Sequence, residues 1–191
     1  MTVHEVIAIP VEQKVWKVRV QDFLVLEESG AFVDYARAEL LDGEIWVLNA
    51  IHSRHAAAQA ELQGQLWAAL RAAGSSLRTY VTPTVVIENR SRIEPDLAVG
   101  PPNDGGLLPV QKIRLAVEVS DTTLPVDLGS KQRIYAAAGV PEYWVADVNG
   151  RVIHRMWSPS GEIYQRHDKT IFGQSISAAT LDDIIIDTDV L

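Results

Sequence analysis

A glutamate in the middle of an apolar strand is the residue of this chain that most needs an explanation. Glu118 lies within Leu115-Ala116-Val117-Glu118-Val119, where an unpaired carboxylate would carry a large desolvation cost. It requires a cation, a metal ion or a strand end open to solvent. Taken alone, a strand-terminal glutamate paired with an arginine accounts for it equally well. Asp96 shifts the balance. It follows Pro95 and stands at the mouth of the short apolar strand Leu97-Ala98-Val99, although by itself it reads as an ordinary turn aspartate. Two acids at the ends of neighbouring strands can converge on one point. Mg²⁺ favours such a pair, with waters and a substrate phosphate completing the octahedron.

Lys131 is the third element. In the segment from Asp127 to Gly139, residues Lys131, Ile134, Tyr135 and Ala138 fall at i, i+3, i+4 and i+7 and share one helical face. Ile134 and Tyr135 turn that face toward the sheet. A lysine so placed either snorkels outward or reaches the acids, where it would orient an attacking water and stabilise a pentavalent phosphate. Asp127, one turn earlier, is read as the helix cap, with pairing to Lys131 as the other reading. Glu44 and His55 are weaker candidates: a strand glutamate just past a tight turn, and a histidine at the start of an apolar helical stripe. A solvated glutamate and a satisfied core histidine are the competing readings. His4, His52, His154 and His167 show no metal-ligand spacing with one another.

The elements that must position these residues are legible from periodicity and turn chemistry. Residues 20–28 read as a helix stopped by Gly30, and 38–49 as a hairpin turned at Asp42-Gly43. A longer helix is expected over 53–73, with Ser53 as its cap, His55, Gln59, Leu62, Leu66 and Leu70 on one stripe, and Gly74 beyond its end. Residues 79–88 read as a strand, with Pro83 marking an edge or a break. Arg90-Ser91-Arg92 reads as a polar link, and 101–106 as a loop. Residues 113–120 and 141–147 read as buried strands joined by a helix over 127–138, which predicts a right-handed parallel crossover. Asn149-Gly150 and Pro159-Ser160-Gly161 predict two further turns. The expected fold is a mixed α/β sheet core flanked by helices, with hairpins toward both ends, forming a single domain over 1–191. The apolar hairpin around Val152, Ile153, Met156 and Trp157 closes the sheet, and a homodimer is expected there.

Composition sets the limits. The 191 residues are 47% hydrophobic and 22% charged, ordinary for a globular chain, and no cysteine is present, which excludes disulfides and thiolate zinc sites. No run approaches the roughly 20 apolar residues of a membrane span, so a cytoplasmic protein without a membrane partner is expected. A net charge of −8 counts against general nucleic-acid affinity. Part of it lies in Asp182, Asp183, Asp187 and Asp189, far in sequence from the candidate site. No phosphate-cradling glycine loop or serine-hydrolase elbow occurs.

The run EPDLAVG…LAVEVSDTT…VDLGSK…IYAAAGVPEYWVAD resembles the Uma-two family of restriction-endonuclease-like proteins, a branch of the PD-(D/E)XK nuclease superfamily. ELLDGEI with the helix of His55, and the closing FGQSISAATLDDIIID, share that likeness, which covers the chain from about residue 20 to the end. The resemblance implies a restriction-endonuclease-like fold, DNA as substrate, and Mg²⁺, or Mn²⁺ in its place, bound by Asp96 and Glu118. It also implies an assisting lysine. Ser120, two residues after Glu118, stands where the superfamily carries that lysine, so the resemblance moves the role to Lys131 on the following helix and leaves Ser120 as a supporting candidate. The loop Ser120-Asp121-Thr122-Thr123 also departs from the family's common Ser-Pro-Ser-Thr run. A metal-dependent endonuclease is thus the first reading. A non-catalytic interaction module that keeps the fold is the second, favoured by the acidic charge.

Overall fold

The computed structural model describes residues 15–49, 52–189 and 191. In chain order the elements are α1 (Val20–Glu28), β1 (Arg37–Leu41), β2 (Glu44–Leu48), α2 (Ser53–Ala72), β3 (Arg78–Val81), β4 (Val85–Ile87), β5 (Ser91–Ile93) and β6 (Leu97–Gly100). Then come β7 (Leu115–Ser120), α3 (Leu124–Val126), a π-helical turn (Asp127–Lys131), α4 (Gln132–Ala137), β8 (Glu142–Asp147), β9 (Val152–Ser160), β10 (Ile163–Ile171), β11 (Ser175–Ser177) and β12 (Ile185–Asp187). Six strands form a mixed sheet in the order β10-β9-β8-β7-β6-β3, and four form an antiparallel sheet in the order β2-β1-β5-β4. This is the mixed α/β core expected from the sequence. Only β7 and β8 pair in parallel within the larger sheet, joined by the predicted helical crossover. Among the described residues no helix is long and apolar enough to cross a membrane.

β7 and β8 are buried at every position, as central strands covered on both faces must be. The two-residue side-chain period sorts them. Leu115, Val117 and Val119 join Leu62, Leu66 and Leu70 of α2 in one core, while Ala116 meets Tyr135 and Tyr143 in another. Glu118 and Ser120 therefore point to the second face, which α4 and the four-stranded sheet cover. Leu41, Val85 and Ile93 of that smaller sheet share the second core with Ile113 and Tyr135. The catalytic candidates on β7 thus lie between the two sheets.

Several expectations need correction. The strand over 79–88 is two strands: at Thr82, which adopts a left-handed φ of 47°, and Pro83, the chain leaves the larger sheet and enters the smaller one. Pro83 has no N–H to give to a ladder, so the pairing ends where it stands. Arg90-Ser91-Arg92 is no link: Ser91–Ile93 is β5, pairing with β4 and with β1. Its three residues are too few for alternation to show in sequence. α2 is capped by His52, not Ser53, and the crossover helix begins at Leu124, with a proline in its first turn, not at Asp127. Gly150 serves the β8–β9 turn through space: a Cβ there would lie 2.3 Å from the Asp147 carboxylate, while the left-handed position falls on Arg151. In the closing hairpin Ile153 and Met156 are buried, and the exposed apolar residues are instead Ile163 and Ile171 of the edge strand β10.

Glu142, fully buried on β8, ties the C-terminal segment to the sheet. It accepts Trp144 Nε1 at 2.7 Å, the Ala179 N–H at 2.9 Å, and the N–H and hydroxyl of Thr180 at 2.8 and 2.9 Å. Its removal leaves the buried Trp144 Nε1 without an acceptor and frees the exposed Ala179–Thr180 backbone from the sheet. Glu142→Ala is expected to lower unfolding free energy by about 3 kcal/mol or more in urea titrations. A loss below about 1 kcal/mol would show that the C-terminal segment is held by its apolar contacts alone.

Candidate functional site

The loop before β6 and the centre of β7 bring Asp96 and Glu118 side by side. β6 and β7 are antiparallel with Leu97 opposite Val117, so the next pair along the ladder sets Asp96 opposite Glu118 on the same face. Asp96 is tightly held. Its Oδ2 accepts the Val119 N–H at 2.8 Å and His55 Nε2 at 3.0 Å, and its Oδ1 accepts both terminal nitrogens of Arg37 at 3.3 Å. Gln59 of α2 donates to the Asp96 carbonyl at 2.8 Å. The stripe of α2 thus delivers His55 and Gln59 to the site, and Leu62, Leu66 and Leu70 to the core.

Lys131 does not snorkel. Its side chain is 6% exposed, and its ammonium lies 2.9 Å from Glu39 Oε2, 3.1 Å from Glu118 Oε1 and 4.0 Å from Asp127 Oδ1. The π-helical turn makes this possible, since its widened loop keeps both Asp127 and Lys131 buried toward the sheet. Asp127 is therefore no cap: it accepts the Thr123 hydroxyl at 2.6 Å and faces Lys131. Tyr135 donates its hydroxyl to the same Glu118 oxygen at 3.1 Å.

These groups lie in a cavity of about 440 Å³, with Trp46 and Val47 of β2 contributing a partly exposed apolar wall. Five carboxylates line the cavity, of which four (Glu39, Asp96, Glu118, Asp127) are grouped around the cations Arg37 and Lys131 and the fifth is Asp121. Burial and the neighbouring charges shift these acids in different directions. For Asp96, burial pushes the carboxyl up, but the hydrogen bond and charge of His55, then Arg37 and Lys131, outweigh it and hold it below its usual range. For Glu118, burial dominates, and Asp96, Asp127 and Glu39 add to it against the pull of Lys131, so its pKa stands well above the ordinary value. Burial likewise raises Asp127. Lys131 loses stability as a cation through burial, yet Glu118, Glu39, Asp127 and Asp96 together keep it charged.

The sequence candidates fare unequally. Asp96, Glu118, Lys131 and His55 meet in one cavity. Ser120 shares the Glu118 face but lies behind the cavity, its hydroxyl 3.4 Å from that of Thr123. Glu44 is not in the site. It lies at the turn end of the hairpin, exposed and bound to Lys17 at 2.8 Å. The hairpin supplies Glu39 instead, two residues in from the turn-end pair and opposite Trp46. Glu39 and Arg37 were missed, although Glu39 in Arg37-Ala38-Glu39-Leu40-Leu41 carries the same signal as Glu118, an acid among apolar strand residues. Arg92 of β5 is engaged by Glu27 at 3.4 Å and Glu94 at 3.5 Å.

No group of three or more histidine or carboxylate side chains among the described residues is arranged to enclose a metal ion. The donors that could hold one are Asp96 and Glu118. That pair suits an ion that takes most of its ligands from water and phosphate. A divalent cation would also offset the burial and the neighbouring carboxylates that raise the pKa of Glu118.

Comparison with known proteins places the chain in a family. Residues 20–188 match the family model described as "Uma2: Putative restriction endonuclease". Among solved structures, "a putative nuclease belonging to DUF820" from Anabaena variabilis is similar with a TM-score of 0.61. The likeness covers 84% of this chain and 89% of that one at 13% identity, and so concerns the fold. No curated protein matches the chain.

The protonation of Glu118 gives a test of the electrostatics. A group whose folded pKa is raised stabilises the native state below its unfolded pKa, and that stability is lost as pH rises through the folded value. Glu118→Gln removes the loss. With divalent ions chelated, the variant should be more stable than the parent by about 1 kcal/mol or more at pH 7. The gap should close on acidification toward pH 4.5, the ordinary glutamate value. Thermal melts across this range check it, and a variant uniformly less stable at every pH contradicts it.

Proposed function

As the chain belongs to the Uma2 family of "putative restriction endonucleases", we propose that it hydrolyses DNA phosphodiester bonds in the cavity between its two sheets, with Asp96 and Glu118 holding Mg²⁺ or Mn²⁺. The observation that carries this reading is the convergence of Asp96, Glu118 and a buried Lys131 at the junction of β6, β7 and the π-helical turn. A bound divalent ion lowers the pKa of its water and offsets charge on the phosphate. The protein's own groups do the rest. Arg37, His55 and the Val119 N–H keep Asp96 ionised and fixed in direction. Both contacts to Glu118 fall on Oε1, from Lys131 and Tyr135, which leaves Oε2 as its donor to a ligand. Lys131 is close enough to orient a water or phosphate oxygen beside that carboxylate, and Glu39 holds its ammonium in place.

A homodimer belongs to the same proposal: β10 is an edge strand with Ile163 and Ile171 exposed, and two-fold pairing would present one site to each strand of a duplex.

A second reading, a non-catalytic interaction module, is favoured by one observation. Every site acid already has a protein donor or cation beside it, so the fold does not need a metal to neutralise them. The two readings separate in the melting temperature: native-state binding of Mg²⁺ must raise it.

The decisive experiment is nicking of plasmid and single-stranded DNA with Mg²⁺ or Mn²⁺. The parent should cleave, Glu118→Gln should not, and Lys131→Met should be slower by about 10²-fold or more. Equal rates for the parent and Lys131→Met would remove the lysine from the mechanism. No cleavage by the parent, with no thermal shift from either ion, would leave the interaction module standing.

A further inference from the structure

Outside the acid cluster, one pair of side chains on the same cavity has the arrangement of an acid–base device. His52 Nδ1 lies 2.7 Å from Asp121 Oδ2. Arg54 donates to Asp121 Oδ1 at 3.1 Å, and Asn149 donates to the same oxygen at 3.2 Å and to the Asp121 carbonyl. Asp121 is thus clamped from three sides, with its side chain 5% exposed. The hydrogen bond from His52 is the largest cause holding its carboxyl below the usual range, and Arg54 and Asn149 add to it. An ionised carboxylate only accepts, so Nδ1 is the donor and the ring orientation is fixed. That leaves Nε2 as the free position of a ring that is 57% exposed and lines the cavity of Asp96, Glu118 and Lys131. As the cap of α2, His52 makes no side-chain bond to the helix; its imidazole is committed to Asp121 instead.

Resting on the nuclease reading, we infer that His52 is the general acid of the reaction, oriented by Asp121 to protonate the leaving oxygen of the scissile phosphodiester. The water oxygen forms the new P–O bond and releases its proton to solvent. The P–O bond to the leaving group breaks, and its electron pair stays on that oxygen. The oxygen takes the Nε2 proton of the imidazolium, and the neutral ring is reprotonated from solvent. Asp121 is a positioning residue: it holds Nδ1 and so fixes which nitrogen faces the cavity. Nothing in the acid cluster already described fills this role. Lys131 is held between Glu39 and Glu118, and Tyr135 donates to Glu118.

Dependence on the leaving group tests this. An alkoxide leaving from DNA needs a proton, whereas p-nitrophenolate leaves without one. The parent and His52→Gln are compared on plasmid DNA and on bis(p-nitrophenyl) phosphate, with Mg²⁺ or Mn²⁺. Arg54 and Asn149 still hold Asp121 in the variant, and matched melting temperatures verify that the fold is kept. On DNA the variant should be slower by about 10²-fold, and on the activated ester the loss should shrink to a few-fold. Equal losses on both substrates would assign His52 to binding or positioning and overturn the inference. So would cleavage of DNA by the variant at the parent's rate. A parent inactive on both substrates would sink the nuclease reading itself, and the inference with it.

Discussion

A buried ammonium shared among carboxylates is the constraint around which the rest of the site is organised. Lys131 stands between Glu39 of the smaller sheet and Glu118 of the larger one. Neither acid could be buried there alone, because each would carry a desolvation cost of several kcal/mol. The ammonium makes both tolerable and at the same time couples the two sheets through charge. Hydrophobic packing of Leu41, Ile93 and Tyr135 closes the same seam, but it is non-directional. The ion pairs fix which face of each strand meets which.

What the sequence could show followed from length and period. α2 has twenty residues and a continuous apolar stripe, and β7 and β8 are unbroken apolar runs, so each was readable without knowledge of its partners. The short strands were not. β4 and β5 have three residues each, and their strand character depends on the ladder between them and on that of β5 with β1, which only the folded chain supplies. Asp96, Glu118 and Lys131 were legible because two are acids among apolar neighbours and the third lies in phase with Ile134 and Tyr135. Glu39 carried the first of these signals and was passed over in favour of Glu44, since a turn-end acid and a mid-strand acid differ by register, which one strand does not reveal. Arg37 and the His52–Asp121 pair depend on contacts 59 and 69 residues apart in sequence. No local pattern encodes those.

The acidity of the chain looks different once its charges are placed. The carboxylates in the cavity outnumber its cations, and burial, with the neighbouring acids adding to it, raises the pKa of Glu118 and Asp127. Surface acids such as Asp182 and Asp183 lie on the C-terminal segment, which packs by way of Leu181 and Ile184 on the α2 side of the sheet. The formal charge of −8 therefore describes neither the cavity nor any one surface.

The π-helical turn has a consequence for how this segment can change over time. Relative to an α-helix, such a turn holds one residue more than its span requires. Each residue of an α-helix advances the side-chain direction by about 100°. Losing one residue between Asp127 and Lys131 would restore regular geometry and leave the later side chains close to their present phase, because the turn absorbs the surplus residue within itself. Tyr135 would keep its place on Tyr143, with ring centres 5.0 Å apart. Such a loss would be felt inside the turn, where Asp127 and Lys131 are both buried. A change of length confined to this turn is thus one that the helix beyond it can survive.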